Sequence, residues 1–437
     1  MNAAVENLRT QVRGRVLLPG DNGFAEARAP WNRAVEQPVA AVVEVADADD
    51  AAAAVRHARA AGLTVTAQPN GHGASGNTAG VVLLRTAALD ELAVDPAART
   101  ARVGAGVSWG RVQAEAGPHG LTGMAGSAPG VSVVGYTLGG GLSWFGRSHG
   151  WAADSVTAFE VVDAEGERGR VTAASDPDLF WALRGGGGDF ALVTAVEFDL
   201  HPAPELYGGR VLFPGALAAR AFEAYRAVTA GAPESLTTWF TRLHPPGGDP
   251  LVAVDVALLG GEAEAKELLR PLEEVGTAIA DTRRLLSPAE LGSITSDPTD
   301  PSPGFSRART LTGLDGPAAA VLAEEDTAPL LLAQVRHVGG ALARPSDSAA
   351  GALAEPYLVY AFGLPLSPEL AAGLRERCAR LWESLGERVS PRRPYSLLAP
   401  GESAADAFTP EAVARLREVK RARDPRGVFR ANFPVLD

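Results

Sequence analysis

The sequence predicts an α+β chain built as two domains. Three observations carry this reading. At 437 residues the chain exceeds the size at which a single hydrophobic core stops growing. Its first two hundred residues mix strand and helix patterns with three glycine-rich runs. After His201-Pro202-Ala203-Pro204 that texture gives way to amphipathic helices and alternating strands. The domains are expected at residues 1–204 and 205–400, with 401–437 returning to the first.

Along the chain, residues 38–48 carry a β-branched strand pattern. Residues 49–61 read as an Ala-rich helix closed by Gly62, and 63–67 as a short strand. A loop over 68–80 leads into a strand at 81–86. Thr100–Gly104 reads as a strand and Ser108 as the N-cap of a helix over Trp109–Ala116. Residues 117–150 lack either periodicity, yet Val131, Val133, Val134, Leu138, Trp144 and Phe145 demand burial. Such a segment is an ordered loop of the kind that usually carries function. Strands return at 157–163 and 191–200. In the second domain, 216–229 and 262–275 read as helices. Residues 237–243, 252–259, 330–337 and 357–364 read as strands of a mostly antiparallel sheet with helices on one face. Residues 293–306, dense in Pro, Asp and Ser, read as a surface loop and entrance lid, and 410–423 as a closing helix.

Composition excludes several function classes. Lys+Arg 40 against Asp+Glu 52 gives a net charge of −12, which repels nucleic-acid phosphate. The basic run at 415–430 is interrupted by Glu418 and Asp424 and reads as a solvated helix face. Met1 to Thr10 is largely polar, and no apolar stretch could span a bilayer, so neither a secretory leader nor a membrane partner is expected. Cys378 is the only cysteine, which excludes an intrachain disulfide and thiolate metal clusters and points to the cytoplasm. Lys266 and Lys420 are the only lysines, neither in the apolar setting that Schiff-base chemistry needs. No metal-ligand spacing links the histidines. An organic cofactor is therefore expected to carry the difficult step on a small molecule.

The glycine runs are 71-GHGASG-76, 126-GSAPGVSVVGYTLGGG-141 and 184-RGGGG-188. Glycine brings the backbone close to a ligand, and successive main-chain N–H groups form an anion nest without lysine. Gly71 to Gly76 also fits GxGxxG, but a strand rather than a helix follows, which excludes a Rossmann dinucleotide fold. Gly106-Val107-Ser108-Trp109-Gly110 fits GxSxG; a serine hydrolase using Ser108 is the reading from another class, and N-capping is the plainer role. From the residues alone, His72 is either an exposed loop residue or a functional one.

These segments resemble the berberine-bridge-enzyme-like FAD-linked oxidoreductases of the vanillyl-alcohol oxidase / p-cresol methylhydroxylase superfamily. The loop 68-QPNGHGASG-76 is similar to RSGGHxxxG, in which the His is joined to the flavin. The segment 126–156 is similar to GxCPxVGxxGxxLGGGxGxLxRxxGLxxDxV, 175–202 to DLFWALRGGGGGNFGVVT, and 424-DPRGVFRAN-432 to DPxNxFRxN. The resemblance implies a two-domain FAD-binding fold of the vanillyl-alcohol oxidase type, with an antiparallel-sheet substrate domain. It implies a covalent link at His72 and FAD contacts from Pro69, Asn70, Gly71, Gly73 and Ala74. Further contacts are implied for Gly126, Ser127, Pro129, Val133, Gly135, Leu138, Gly139, Gly140 and Gly141, and for Val193 and Asn432.

The chain departs from the family in places. Ala128 replaces the Cys that makes a second flavin link, and Gln68 replaces an Arg. The YxNY segment reads 395-YSLL-398, with Leu397 and Leu398 at the Asn and second Tyr positions. The proton acceptor is thus unassigned, with Tyr395, Tyr360 and Tyr136 as candidates, while Arg147 reads as structural. The resemblance implies hydride transfer from an alcohol, amine or phenolic, polyketide-like substrate of specialised metabolism, with oxygen as acceptor. A flavin dehydrogenase or cyclase using another acceptor, and a flavin binder without turnover, are the alternatives within this resemblance.

Overall fold

Short parallel strands and one capped helix organise the start of the chain. In the computed structural model, which describes residues 2–436, Ala41–Glu44, Val82–Arg85 and Val65–Ala67 pair in parallel, and Arg15–Leu17 adds antiparallel at the edge. Met1 and Asp437, the outer ends of the expected first domain and its return, lie outside the described residues. The helix Ala48–Ala61 starts where the Asp47 side chain accepts from Asp50 N, and stops at Gly62 in the left-handed conformation. Its face of Ala51, Ala52, Ala54 and Ala58 is buried. Side chains this small let it pack closely against a second sheet of five antiparallel strands. In order these are Leu92–Asp95, Thr100–Gly104, Leu192–Asp199, Val156–Val162 and Arg168–Val171.

The second sheet system is larger and antiparallel throughout. Tyr207–Pro214, Leu251–Leu258, Leu236–Leu243, Leu332–His337, Tyr357–Gly363 and Phe305–Leu311 lie side by side, with two short strands at the outer edge. Side chains alternate across a strand. Val211, Val254, Phe240, Val335 and Val359 therefore share one face, packed against the helices Ala218–Ala230, Pro317–Glu324 and Pro368–Leu385. The other face carries Trp239 and Ala257 into the core of the N-terminal elements.

The tail after helix Pro410–Arg423 returns to the first sheet. Val65 N donates to Val428 O at 2.7 Å, and Arg430 N to Val65 O at 2.9 Å. A buried ion cluster secures it. Lys420 Nζ donates to Asp424 Oδ2 at 2.7 Å and to the carbonyls of Asp189 and Phe429. Asp424 in turn accepts from Val428 N and Phe429 N, and Asp189 from Ala431 N and Val435 N.

Several expectations are corrected. The basic run is not wholly a solvated face, because Lys420 is buried against Asp424 and Asp189. The segment 117–150 contains two short α-helices, Val133–Leu138 and Gly146–His149, besides a 3-10 turn at Gly117–His119 and a two-residue strand, all too brief to show a period. Residues 262–275 form two pieces, Glu262–Leu268 and Arg270–Glu273, because Pro271 has no N–H to continue the ladder. The strand at 38–48 is confined to Ala41–Glu44, and the lid loop ends as Phe305 enters a strand. The strands Leu92–Asp95 and Arg168–Val171 were not expected, nor were the helices Pro177–Leu183, Pro317–Glu324 and Pro368–Leu385. Each of those helices opens on the proline its first turn tolerates. Among the described residues no helix is long and apolar enough to cross a membrane.

Candidate active site

The loop carrying His72 owes its shape to Gly71. Its φ is +76°, and a Cβ there would lie 2.8 Å from Pro30 and 3.0 Å from Gln68 Oε1, so a side chain is excluded twice over. The turn presents His72 to Trp31, with ring centroids 4.3 Å apart and planes 15° from parallel. Burial pushes the imidazole pKa down to about 4, which keeps the ring neutral at pH 7. Its Nδ1 is buried without a hydrogen-bond partner.

Contacts from several elements hold this loop. Asn70 Nδ2 donates to Gly130 O at 2.8 Å, Asn432 Nδ2 to Gly73 O at 2.9 Å, and Ser75 Oγ to Asn432 O at 2.6 Å. Arg85 donates to the carbonyls of Ala27, Ala29 and Gln68, and Gln68 Nε2 to Gln37 Oε1 at 2.7 Å.

The second glycine run meets the first through Asn70 and Gly130. Within it, the Ser132 hydroxyl donates to Ala105 O and accepts from Gly135 N, starting the helix Val133–Leu138. Gly140 and Gly141, at φ +92° and +78°, turn the chain away. A Cβ on Gly141 would stand 2.5 Å from the Tyr136 ring. The third run joins where Gly187 N donates to Leu138 O at 2.8 Å. Three runs far apart in sequence thus converge. On the converging segments His72 Nδ1, Gln68 Oε1 and Tyr136 OH are buried and unpartnered. Buried polar atoms are normally paired, and glycine loops without lysine suit a phosphate held by amides. The residues therefore fit a dinucleotide.

Opposite stands the helix-free face of the large sheet, crossed by a polar row. Arg210 grips Asp255 at 2.6 and 3.1 Å, and Thr241 Oγ1 reaches Asp255 at 3.5 Å. Gln334 Nε2 donates to Thr241 Oγ1 at 3.0 Å, and Arg336 Nε to Gln334 Oε1 at 2.7 Å. The Arg336 guanidinium lies 4.1 Å from the Trp239 ring centroid and 4.9 Å from that of Tyr360. Trp239 stacks on Trp144 at 3.6 Å, which ties the row to the end of the second glycine run. Burial raises the phenol pKa of both Tyr136 and Tyr360, and the nearby Arg336 charge opposes that rise.

Comparison with known proteins agrees with this geometry. A family profile described as an FAD binding domain matches residues 39–172. The chain is 28% identical to (R)-6-hydroxynicotine oxidase of Paenarthrobacter nicotinovorans, over 97% of this chain and 97% of that protein. Among solved structures, 6-hydroxy-D-nicotine oxidase from Arthrobacter nicotinovorans superposes with a TM-score of 0.83 at 23% identity, covering 97% of this chain and 98% of the other. A berberine bridge enzyme variant superposes at 0.84 and 18% identity, covering 99% of both chains.

The chain carries an FAD binding domain and is similar over its length to FAD-linked oxidoreductases. The fold is the α+β fold of the vanillyl-alcohol oxidase type, and the activity is that of an FAD-linked oxidoreductase.

In this oxidoreductase the residues expected at the flavin fall into two groups. Residues 69–74, 126–141 and Asn432 come together as described. Val193 instead lies buried in the strand Leu192–Asp199, just before its bulge. Pro129 supports the run from behind, its carbonyl accepting from Gly110 N at 2.9 Å. Tyr395 is apart from the polar row: its hydroxyl donates to Phe433 O at 3.0 Å and its ring stacks on Phe408. Arg147 donates to the carbonyls of Leu236, Val338, Ala232 and Pro233 and contacts His337 Nε2 at 2.9 Å, joining the glycine segment to the large sheet. Ser108 does not cap its helix with its side chain. Its backbone bridges Ser132 instead, and among the described residues it hydrogen-bonds no histidine.

Sequence reasoning missed Trp31, Arg85, Trp239 and Arg336. For Arg336 a signal existed: the alternation in Leu332–His337 places Gln334 and Arg336 on one face and Ala333 and Val335 on the other.

Proposed function

We propose that this enzyme holds FAD where the glycine runs converge, linked once and through His72, and oxidises a small organic molecule lying against the polar row of the large sheet. In this reading residues 1–204 and 401–437 form the FAD domain, residues 205–400 the substrate domain, and dioxygen takes up the electrons. The observation that carries it is the neutral His72, its Nδ1 buried and unpartnered beneath Trp31.

FAD, when bound, supplies the acceptor for a hydride from a substrate C–H bond. The chain's residues bind and orient. Main-chain amides of 70–74 and 126–141 hold the diphosphate, and Trp31 fixes the plane of the His72 ring. Ala128 offers no thiolate, so only one covalent link forms. Tyr136, with a free hydroxyl near Arg336, holds the substrate OH or NH whose proton is lost; Tyr360 is placed to assist. Alcohols, amines and phenolics suit this site, and the full-length likeness to a nicotine oxidase supports the oxidase reading over a dehydrogenase. The lone buried cysteine suits a cytoplasmic protein.

The test is direct. Acid-precipitated protein should stay yellow, with its mass raised by one FAD, and its reduced form should reoxidise rapidly when air is admitted. Colour that washes off in acid would overturn the covalent link, and slow reoxidation would turn the assignment to a dehydrogenase.

A further inference from the structure

We propose that the substrate carries an anionic oxygen, as a carboxylate or an ionised phenol, and that Arg336 is the residue that receives it. This names a substrate class for the site proposed above and rests on that reading.

Arg336 lies deep enough for desolvation to lower its pKa, yet it keeps some accessible surface, so it borders a gap rather than solid core. Its Nε is occupied by Gln334. Among the described residues, neither terminal nitrogen has a hydrogen-bond acceptor or a carboxylate within ion-pair distance. Other deep arginines differ: Arg85 and Arg147 are filled by carbonyls, and Arg393 meets Glu402 at 3.1 Å. A buried guanidinium left without a counter-charge is costly, and a site that tolerates one gains a partner only when it is loaded.

No side chain fills that role. Asp255 is the carboxylate of the row, and both its oxygens are engaged by Arg210. Asp297, on the loop between the sheet and the N-terminal elements, influences Arg336 only through longer-range electrostatics. The remaining groups around the guanidinium, Tyr136 and Tyr360, have raised pKa values and are neutral phenols. The rings of Trp239 and Tyr360 cover the guanidinium faces, leaving its edge for a planar, two-point grip on an oxyanion. That edge lies on the sheet face tied to the second glycine run, where a substrate must lie to meet the cofactor.

Benzoate and benzamide, flat molecules of one shape and different charge, serve as probes for calorimetric titration of the flavin-loaded enzyme. Benzoate is expected to bind at least about tenfold more tightly than benzamide, the discrimination a charge-assisted pair provides. Arg336→Gln should abolish this preference and Arg336→Lys should retain part of it. Equal binding, no binding by either, or a preference that survives Arg336→Gln would overturn the proposal. The comparison on the unaltered protein stands even where a variant fails to fold. A yellow enzyme without anion preference sinks the anion site alone; a colourless protein that still prefers benzoate sinks the flavin reading and leaves Arg336 its role.

Discussion

The indole of Trp31 covers one face of the His72 imidazole, with the two rings 15° from parallel. The segment bearing Trp31 is itself tied to the loop before Phe305. Asn32 Nδ2 donates to Gly304 O at 3.0 Å and its Oδ1 accepts from Gly304 N at 2.9 Å. One ring thus connects the expected flavin-linking residue to the loop read as an entrance lid.

Removing that ring should loosen His72. A stacked pair is worth about 0.5–1.5 kcal/mol beyond its area. Trp31→Ala should therefore lower the acid-stable flavin fraction severalfold, whereas Trp31→Phe should retain most of it. Fluorescence of the denatured protein on a gel, set against total flavin, measures this; unchanged covalent flavin in Trp31→Ala would contradict it.

Acid should unfold the flavin-free protein through its histidines. Burial holds His72 and His201 at about 4 and His337 at about 3, against 6.5 in the free residue. The folded values lie below the unfolded ones, so the unfolded chain binds more protons in the window between. Stability is then fully present above about pH 6.5 and is lost as pH falls toward 4. Thermal melts across that range should show Tm dropping steeply, and a flat profile would refute the burial argument.

Two glycines of the first and second runs should respond to very different extents. Gly141 combines φ +78° with a ring atom 2.5 Å from any added Cβ, so Gly141→Ala should cost roughly 1–3 kcal/mol and deplete flavin. At Gly73 a Cβ would meet nothing within 4 Å, and Gly73→Ala should stay within about 0.5 kcal/mol of the parent. Denaturant midpoints and bound flavin, measured together, separate the two.

The tyrosines divide between chemistry and stability. The Tyr136 hydroxyl has no partner, so Tyr136→Phe should leave Tm intact while kcat falls about 100-fold or more. The Tyr395 hydroxyl donates to Phe433 O, so Tyr395→Phe should cost about 1 kcal/mol and change kcat little. Reversed results would move the proton-handling role to Tyr395.

Much of the scaffold was legible because its signals are local. The helices Trp109–Ala116 and Pro410–Arg423 and the strand Thr100–Gly104 match the expected spans residue for residue. The long helix Pro368–Leu385 was overlooked despite its Ser367 cap, whose side chain accepts from Leu370 N. The site was legible in part: the glycine runs marked the loops that converge, while Lys420 read as solvated because one of its partners, Asp189, lies far away along the chain.

Caps, strand alternation and glycine bends are written in neighbouring residues, so the sequence by itself determined many of the elements and marked the glycine loops that converge. The tertiary structure alone decided that Trp31 lies on His72, that Tyr395 is spent on the tail, and that the Arg336 guanidinium is buried on the helix-free sheet face without a counter-ion. Each of those depends on which distant segments pack together, and desolvation and charge pairing are properties of that packing rather than of any residue taken alone.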